Sequence, residues 1–248
     1  LLDIRATILI GAATCLVTAL VAFLMWEPQH EATTSAPRAR YWATIGSAFR
    51  EVWHNRAVRA VVLLTGTVFA SLEAVMYLIQ PYLLDRGIEI GVVFSMLQVP
   101  TLIAGAAGAL LASRVHGHAR LLMLALPACG VAAYIALALG PGLSAYAAFP
   151  LMYLFASCLM PLATGQINRN IGSAQRATIL SIHGMVASLL LAALAPGVGF
   201  TTDNQGLPQA FALGAGVTLL SLVLFGSMLV GTRRASAESA PMPAPADV

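Results

Sequence analysis

Residues 60–84, AVVLLTGTVFASLEAVMYLIQPYLL, decide how this chain must be read. They carry a single formal charge, Glu73, between Arg59 on one side and Asp85-Arg86-Gly87 on the other. A helix rises 1.5 Å per residue, so about 20 apolar residues cover a hydrocarbon core of roughly 30 Å. The stretch therefore predicts a helix that crosses a bilayer. Six others are built the same way: Ala6 to Trp26, Ile90 to Ser113, Leu121 to Gly140, Leu143 to Ile167, Ala177 to Thr202 and Leu207 to Thr232. Glu73 is the only formal charge within all seven. Short polar breaks separate most of them, among them Arg114 to Arg120, Gly140-Pro141-Gly142, Asn168 to Arg176 and Asp203 to Gly206. Such breaks are hairpin connections between antiparallel spans.

Composition agrees. The 248 residues are 59% hydrophobic and 9% charged, with a mean hydropathy of +0.84. Soluble domains carry about a quarter of their residues charged, so a water-facing surface could hardly be built here, which excludes an ordinary soluble enzyme or a nucleic-acid-binding domain. The net charge of +3 comes from thirteen Arg and no Lys. Eleven Arg fall in one set of alternate connections, residues 27–59, 114–120, 168–176 and the tail after Thr232, whereas only Arg5 and Arg86 fall in the other. The positive-inside rule places the richer set in the cytoplasm. The expectation is a multi-pass cell (plasma or inner) membrane protein, its start outside and its C-terminus cytoplasmic. The first span is too long, and too poor in preceding basic residues, for a signal peptide. An odd span count and a start at Leu1-Leu2 without Met suggest a chain whose upstream part is missing.

Four regions are expected: 1–26, a first span; 27–59, a cytoplasmic linker; 60–232, a six-helix bundle; and 233–248, a tail whose Ala, Pro and Ser content from Ala235 onward predicts disorder. Within the linker, Glu27 to Pro37 is polar and Pro-interrupted and reads as flexible. Beyond it Trp42, Ile45, Phe49, Val52 and Trp53 recur at helical spacing, while Arg40, Arg50, Glu51, His54 and Arg56 take other faces. This describes an amphipathic helix lying at the headgroup level, with a partner-docking helix as the second reading.

Cys15, Cys129 and Cys158 all sit inside apolar spans, where a free Cys behaves as a small hydrophobe, and no Cys/His cluster suggests a metal. No cofactor is expected. Glu73 lies 14 residues beyond Arg59, so about 21 Å further along the helix. A carboxylate at the bilayer centre costs on the order of 2.5 to 3.5 kcal/mol, so it should face a cavity or a partner. Gly66, Phe69 or Ala70, Tyr77 and Gln80 follow on the same face at helical spacing, making a polar stripe, and Pro81 is expected to bend the helix's outer end. Two roles stand for Glu73. It exchanges protons or contacts a cationic substrate, or it is a neutral hydrogen-bond donor to a neighbouring helix. His183 has the same pair of readings, buried and satisfied or a proton relay. Gln98 beside Pro100 adds a polar group in mid-span, as do Tyr153, Cys158 and Pro161. Met76, Met96, Met152, Met160 and Met185 read first as packing. The small residues Gly105 to Ala109 and Gly214 to Gly216 read as close helix contacts.

A single span, a cytoplasmic linker ending in an amphipathic Arg/Trp segment, and six spans in short hairpins resemble helices six to twelve of a major facilitator superfamily transporter. Glu73 to Gly87 is similar to the seventh helix and outer turn of drug-efflux-like members. Asn168 to Ser181 is similar to their tenth-to-eleventh connection. The eighth-to-ninth connection fits through Arg114, Gly117 and Arg120 but has Ser113 where an acid is usual. The resemblance implies a C-terminal half-bundle of two inverted three-helix repeats, with a cytoplasmic gate at Arg114, Gly117, Arg120, Arg169 and Arg176. It implies a small-molecule substrate at the midplane against a missing N-terminal half, with Glu73, Tyr77, Gln80, Gln98 and His183 as substrate or proton-coupling residues. Proton-driven efflux of amphiphilic compounds is the first expectation and sugar or metabolite uptake the second. No GxxxxGK[ST] loop for ATP is present. A retinal protein is excluded because a Schiff base needs a Lys. A receptor is disfavoured by the short outer connections, and an intramembrane enzyme by the lack of a second acid near Glu73.

Overall fold

A computed structural model describes residues 4–24, 38–87, 90–140, 145–172 and 175–238. Among these residues the regular structure is entirely helical: α1 (Ile4–Leu24), α2 (Arg38–His54), α3 (Arg56–Met76), α4 (Ile79–Asp85), α5 (Ile90–Arg114), α6 (Ala119–Leu139), α7 (Ala145–Asn170), α8 (Arg176–Gln205) and α9 (Leu207–Glu238), with one 3-10 turn at His116–His118. Five helices are long and apolar enough to cross a membrane, namely α3, α6, α7 from Ala147, α8 and α9 as far as Leu229. The multi-pass expectation therefore stands in that form.

The chain divides into two compact units, Leu1–Trp42 and Ala43–Val248. In the first, α1 carries no charge beyond Arg5, and its side chains from Ala12 to Val21 are exposed. An all-round apolar helix with no polar face is built for lipid or for another helix. The linker from Glu27 to Pro37 lies outside the described residues.

The second unit is a bundle in which α3 packs on α7, α8 and α9, α5 on α7, and α6 on α7 and α9. Its apolar interior forms two clusters. One holds Leu64, Met123, Leu162, Ile167 and Ile179; the other holds Val75, Tyr82, Leu137, Phe149 and Phe211. Tyr82, Phe149 and Phe211 meet edge to face in the second cluster, with ring centroids 5.4 to 6.5 Å apart, the arrangement that aromatic quadrupoles favour. Along α3, Thr65 and Ser71 fall between the residues of the two clusters; His183 of α8, Thr218 and Ser221 of α9, and Tyr134 of α6, itself in the second cluster, are buried as well.

Glycines set the closest contacts. A Cβ on Gly108 would run into the carbonyl oxygen of Leu154, and one on Gly105 would lie 3.2 Å from Tyr153, so α5 can approach α7 only because both positions lack side chains. Gly214 meets Tyr134 and Val75 in the same way, whereas Gly216 faces open space and was expected wrongly to share that role.

Local chemistry accounts for the helix ends. Asn55 precedes α3 in an extended conformation, and its side-chain oxygen accepts from the Val58 amide at 3.2 Å, as an N-cap should. Its Nδ2 donates to the Asn170 carbonyl at the end of α7, so one side chain closes two helix termini. Pro81 lacks the N–H that would bond the Tyr77 carbonyl four residues back, and its ring crowds that carbonyl. The helix accordingly breaks at Tyr77–Leu78, where the Leu78 amide bonds Val75 three residues back. Gly206, at φ 98°, ends α8 with its amide on Thr201 and Thr202, and α9 starts at the next residue, so the expected break at Asp203 to Gly206 shrinks to one residue.

Two expectations need correction. Helix α9 runs to Glu238, so Ala235 to Glu238 are helical rather than disordered; residues 239–248 lie outside the described residues. The single apolar face foreseen on α2 divides in two. Ala48 and Val52 are buried in the bundle core with Ile45 half-buried, while Trp42, Phe49 and Trp53 are exposed. The second group lies on an adjoining arc, at spacings of seven and four residues.

Candidate functional site

Helix α3 carries the chain's intramembrane acid, and its polar groups differ sharply in how they are satisfied. Thr65 Oγ1 donates to the Val61 carbonyl at 2.7 Å and lies 2.9 Å from His183 Nε2. A hydroxyl has one hydrogen. With that hydrogen on Val61, the His183 Nε2–H is the donor to Thr65, which sets the imidazole's tautomer. His183 is 4% exposed. Thr65 and Glu73 are eight residues apart, about 12 Å along α3, so His183 is docked on α3 well away from the acid.

One turn and a half beyond Thr65, Ser71 is the centre of a closed hydroxyl cluster. Its Oγ donates to the Gly214 carbonyl at 3.1 Å and accepts from Thr218 Oγ1 at 3.2 Å. The Tyr134 hydroxyl lies 3.1 Å away. Because the one hydrogen of Ser71 is already used, Tyr134 must donate to it. Three helices, α3, α6 and α9, are thereby joined by a cluster that uses the single Ser71 hydrogen and both its lone pairs.

Glu73 stands two residues further on and is half-buried, with no hydrogen-bond or ion-pair partner among the described residues. The alternative in which it donates to a neighbouring helix finds no such neighbour there. Gly66 and Ala70 on its face are buried and Phe69 half-buried. Gly66 lets α8 approach to ordinary contact at Val186 and Leu190. The stripe foreseen through Tyr77 and Gln80 is interrupted. Tyr77 lies in the turn after α3, 66% exposed, and Gln80 is exposed on α4. The break that Pro81 imposes therefore ends the helical register between Glu73 and Gln80. Gln98 is half-buried on α5, and α5 continues through Pro100.

The basic positions lie at the opposite helix ends. Arg114, Arg120, Arg169 and Arg176 are all exposed, and the only ion pair among the described residues joins Arg86 to Asp85 at 3.8 Å. Gly117, Arg120 and Arg169 line one groove of about 670 Å³ between α6, α7 and α9, together with His118 and Gln166. Arg114 and Arg176 do not line it. Ser113 turns its hydroxyl back to the Leu110 carbonyl.

The sequence reading passed over Asn55, Ser71, Tyr134, Thr218 and Gln166. Asn before a helix is a recognisable cap signal, so Asn55 could have been found. The hydroxyls carry no local signal, because single Ser, Thr and Tyr residues are common in apolar spans. Among the described residues no group of three or more His, Cys, Asp or Glu could hold a metal.

No curated protein matches the chain. The sequence model described as Major Facilitator Superfamily matches residues 1–196.

Proposed function

We propose that this chain, which by that match belongs to the Major Facilitator Superfamily, is the part of a secondary active transporter running from helix six to helix twelve. The family supports secondary transmembrane transport by a multi-pass membrane protein. On the finer reading α1 is the sixth helix, α3 with α4 the seventh, and α5 to α9 the eighth to twelfth.

The packing supports two inverted repeats, α3/α5/α6 and α7/α8/α9. Exchanging the triplets turns the α3–α8 contact into α7–α5, and α3–α9 into α7–α6. The α3–α7 and α6–α9 contacts map onto themselves, whereas α8–α9 has no equal counterpart and the slight α7–α8 contact is matched only through α4–α5. Alternating access follows from rocking such a repeat unit against a second half, with substrate held near the midplane.

The observation that carries coupling is Glu73, a half-buried carboxyl inside a span with no partner among the described residues. A carboxyl can hold a proton or pair with a cation, and an intramembrane acid with no built-in partner is open to either. Proton and cationic amphiphile then compete for one group, which is antiport chemistry. The favoured activity is proton-coupled efflux of amphiphilic compounds across the cell membrane, with the arginine-rich ends in the cytoplasm. Glu73→Gln, made in the protein with its natural upstream sequence and reconstituted in liposomes, tests this. Uptake driven by a pH gradient should collapse while counterflow exchange without a gradient persists. Near-normal pH-driven transport by the variant would refute the coupling role.

A further inference from the structure

The groove between α6, α7 and α9 gathers three of the five residues expected at the cytoplasmic gate, Gly117, Arg120 and Arg169, and its chemistry is that of an anion site. Arg120 and Arg169 line it, both exposed and neither ion-paired among the described residues, and no Asp or Glu is among its lining residues. The amino end of α6, a helix of 21 residues, opens into it through Gly117, His118 and Ala119. His118 at the cap position gives the first turn no side-chain bond, so no side chain competes for the first-turn amides, and the positive end of the helix dipole lies at the groove.

Part of the end of α7 is served by other side chains. The Gln166 carbonyl already accepts from Asn170 Nδ2 at 2.7 Å, and the Asn170 carbonyl from Asn55 Nδ2 at 3.2 Å. Independently, the Gln166 side chain lines the groove while being only 8% exposed, and it has no hydrogen-bond partner among the described residues. Its polar atoms are not sealed off, since the buried unpartnered side-chain atoms among the described residues are the Tyr82 hydroxyl oxygen and Asn168 Oδ1, so the Gln166 amide opens to the groove. The arrangement makes sense once a ligand oxygen accepts from that amide.

We propose that this groove binds an anionic phosphate group, with the Arg120 and Arg169 guanidiniums, the first amides of α6 and the Gln166 amide as donors. The rest of the wall indicates where the phosphate comes from. Leu121, Leu124 and Leu229 continue the groove along the bundle, and Leu121 is 64% exposed. A polar mouth above an apolar trough fits a phospholipid headgroup above its acyl chains, as basic pockets between membrane helices do. The inference rests on the membrane reading of the bundle and is independent of proton coupling.

The test uses the intact protein in detergent, titrated with phosphatidylglycerol and with phosphatidylcholine of the same acyl chains, bound lipid being counted by native mass spectrometry. Phosphatidylglycerol should bind preferentially. Arg120→Gln and Arg169→Gln should each raise its half-saturation concentration about fivefold. Gln166→Leu, which keeps both charges, should also weaken it, an effect that a diffuse basic surface would not produce. Arg86→Gln, at the other end of the bundle, should leave binding unchanged. Excess inorganic phosphate that fails to displace the lipid identifies the headgroup as the source, whereas displacement identifies a free phosphate ligand in the same site. Equal binding of the two lipids, or wild-type binding by the Arg120→Gln/Arg169→Gln protein, would overturn the proposal.

Discussion

Ser71 and Glu73 lie two residues apart on α3 and receive opposite treatment from the fold. Ser71 is 2% exposed, and its hydroxyl has a partner for its hydrogen and for both lone pairs. Glu73 is half-buried and its carboxyl has no partner among the described residues. Two residues on a helix are about 200° apart, so one position looks into the seam with α6 and α9 and the other away from it. In hydrocarbon an unmet polar group costs several kcal/mol, which is why a hydroxyl that only holds helices together is closed on all sides. A group left open at the same depth is one that stays available to an incoming ion or proton. The contrast sets a satisfied hydroxyl against an open carboxyl on a single helix, and the proposed coupling role rests on it.

The comparison breaks most sharply if the acid is moved. Ser71→Asp places a carboxylate where every partner is committed, and should destabilise by about 3 kcal/mol or more, read as a large fall in the thermal unfolding temperature in detergent. A fold that tolerates this change would mean that the seam is looser than its hydrogen bonds imply. Ser71→Ala removes three bonds at once and leaves Tyr134 and Thr218 seeking new partners; the expected loss is about 1 to 2 kcal/mol. Tyr134→Phe removes one bond and leaves Ser71 served by Thr218 and Gly214, so about 0.6 kcal/mol should be lost. The smallest effect belongs to Glu73→Gln. With no partner to lose, its unfolding temperature should match wild type, a change within about 0.5 kcal/mol. A large destabilisation there would reveal a structural partner for Glu73 and erase the distinction between the two positions.

A second comparison, between the arginines inside the groove and those outside it, points the same way. Arg114, Arg120, Arg169 and Arg176 look alike in the sequence, as charges that set topology and as a gate. Only Arg120 and Arg169 converge on one groove, joined there by Gln166. Gln166 drew no notice in the sequence, because a lone Gln near a helix end has no periodic signature.

The amino-acid sequence by itself determined that the chain is helical and membrane-spanning. Hydrophobicity is a local, additive property, and a slab about 30 Å thick sets the length of every span. It also located the isolated acid, the glycines of the α5–α7 contact and Pro81 as a disturbance of the helix's outer end, since each depends on one residue's covalent chemistry, but it ran the helix unbroken through Tyr77 and Leu78. Only the tertiary structure decided which polar groups meet. Ser71 finds Tyr134, Gly214 and Thr218, and Thr65 finds His183, across separations of 63 to 147 residues. It also decided that α2 buries Ala48 and Val52 and leaves Trp53 outside. Helical periodicity tells which residues share a face, but hydrogen bonds need atoms within about 3 Å and suitably aligned, and that depends on how neighbouring helices are rotated and stacked.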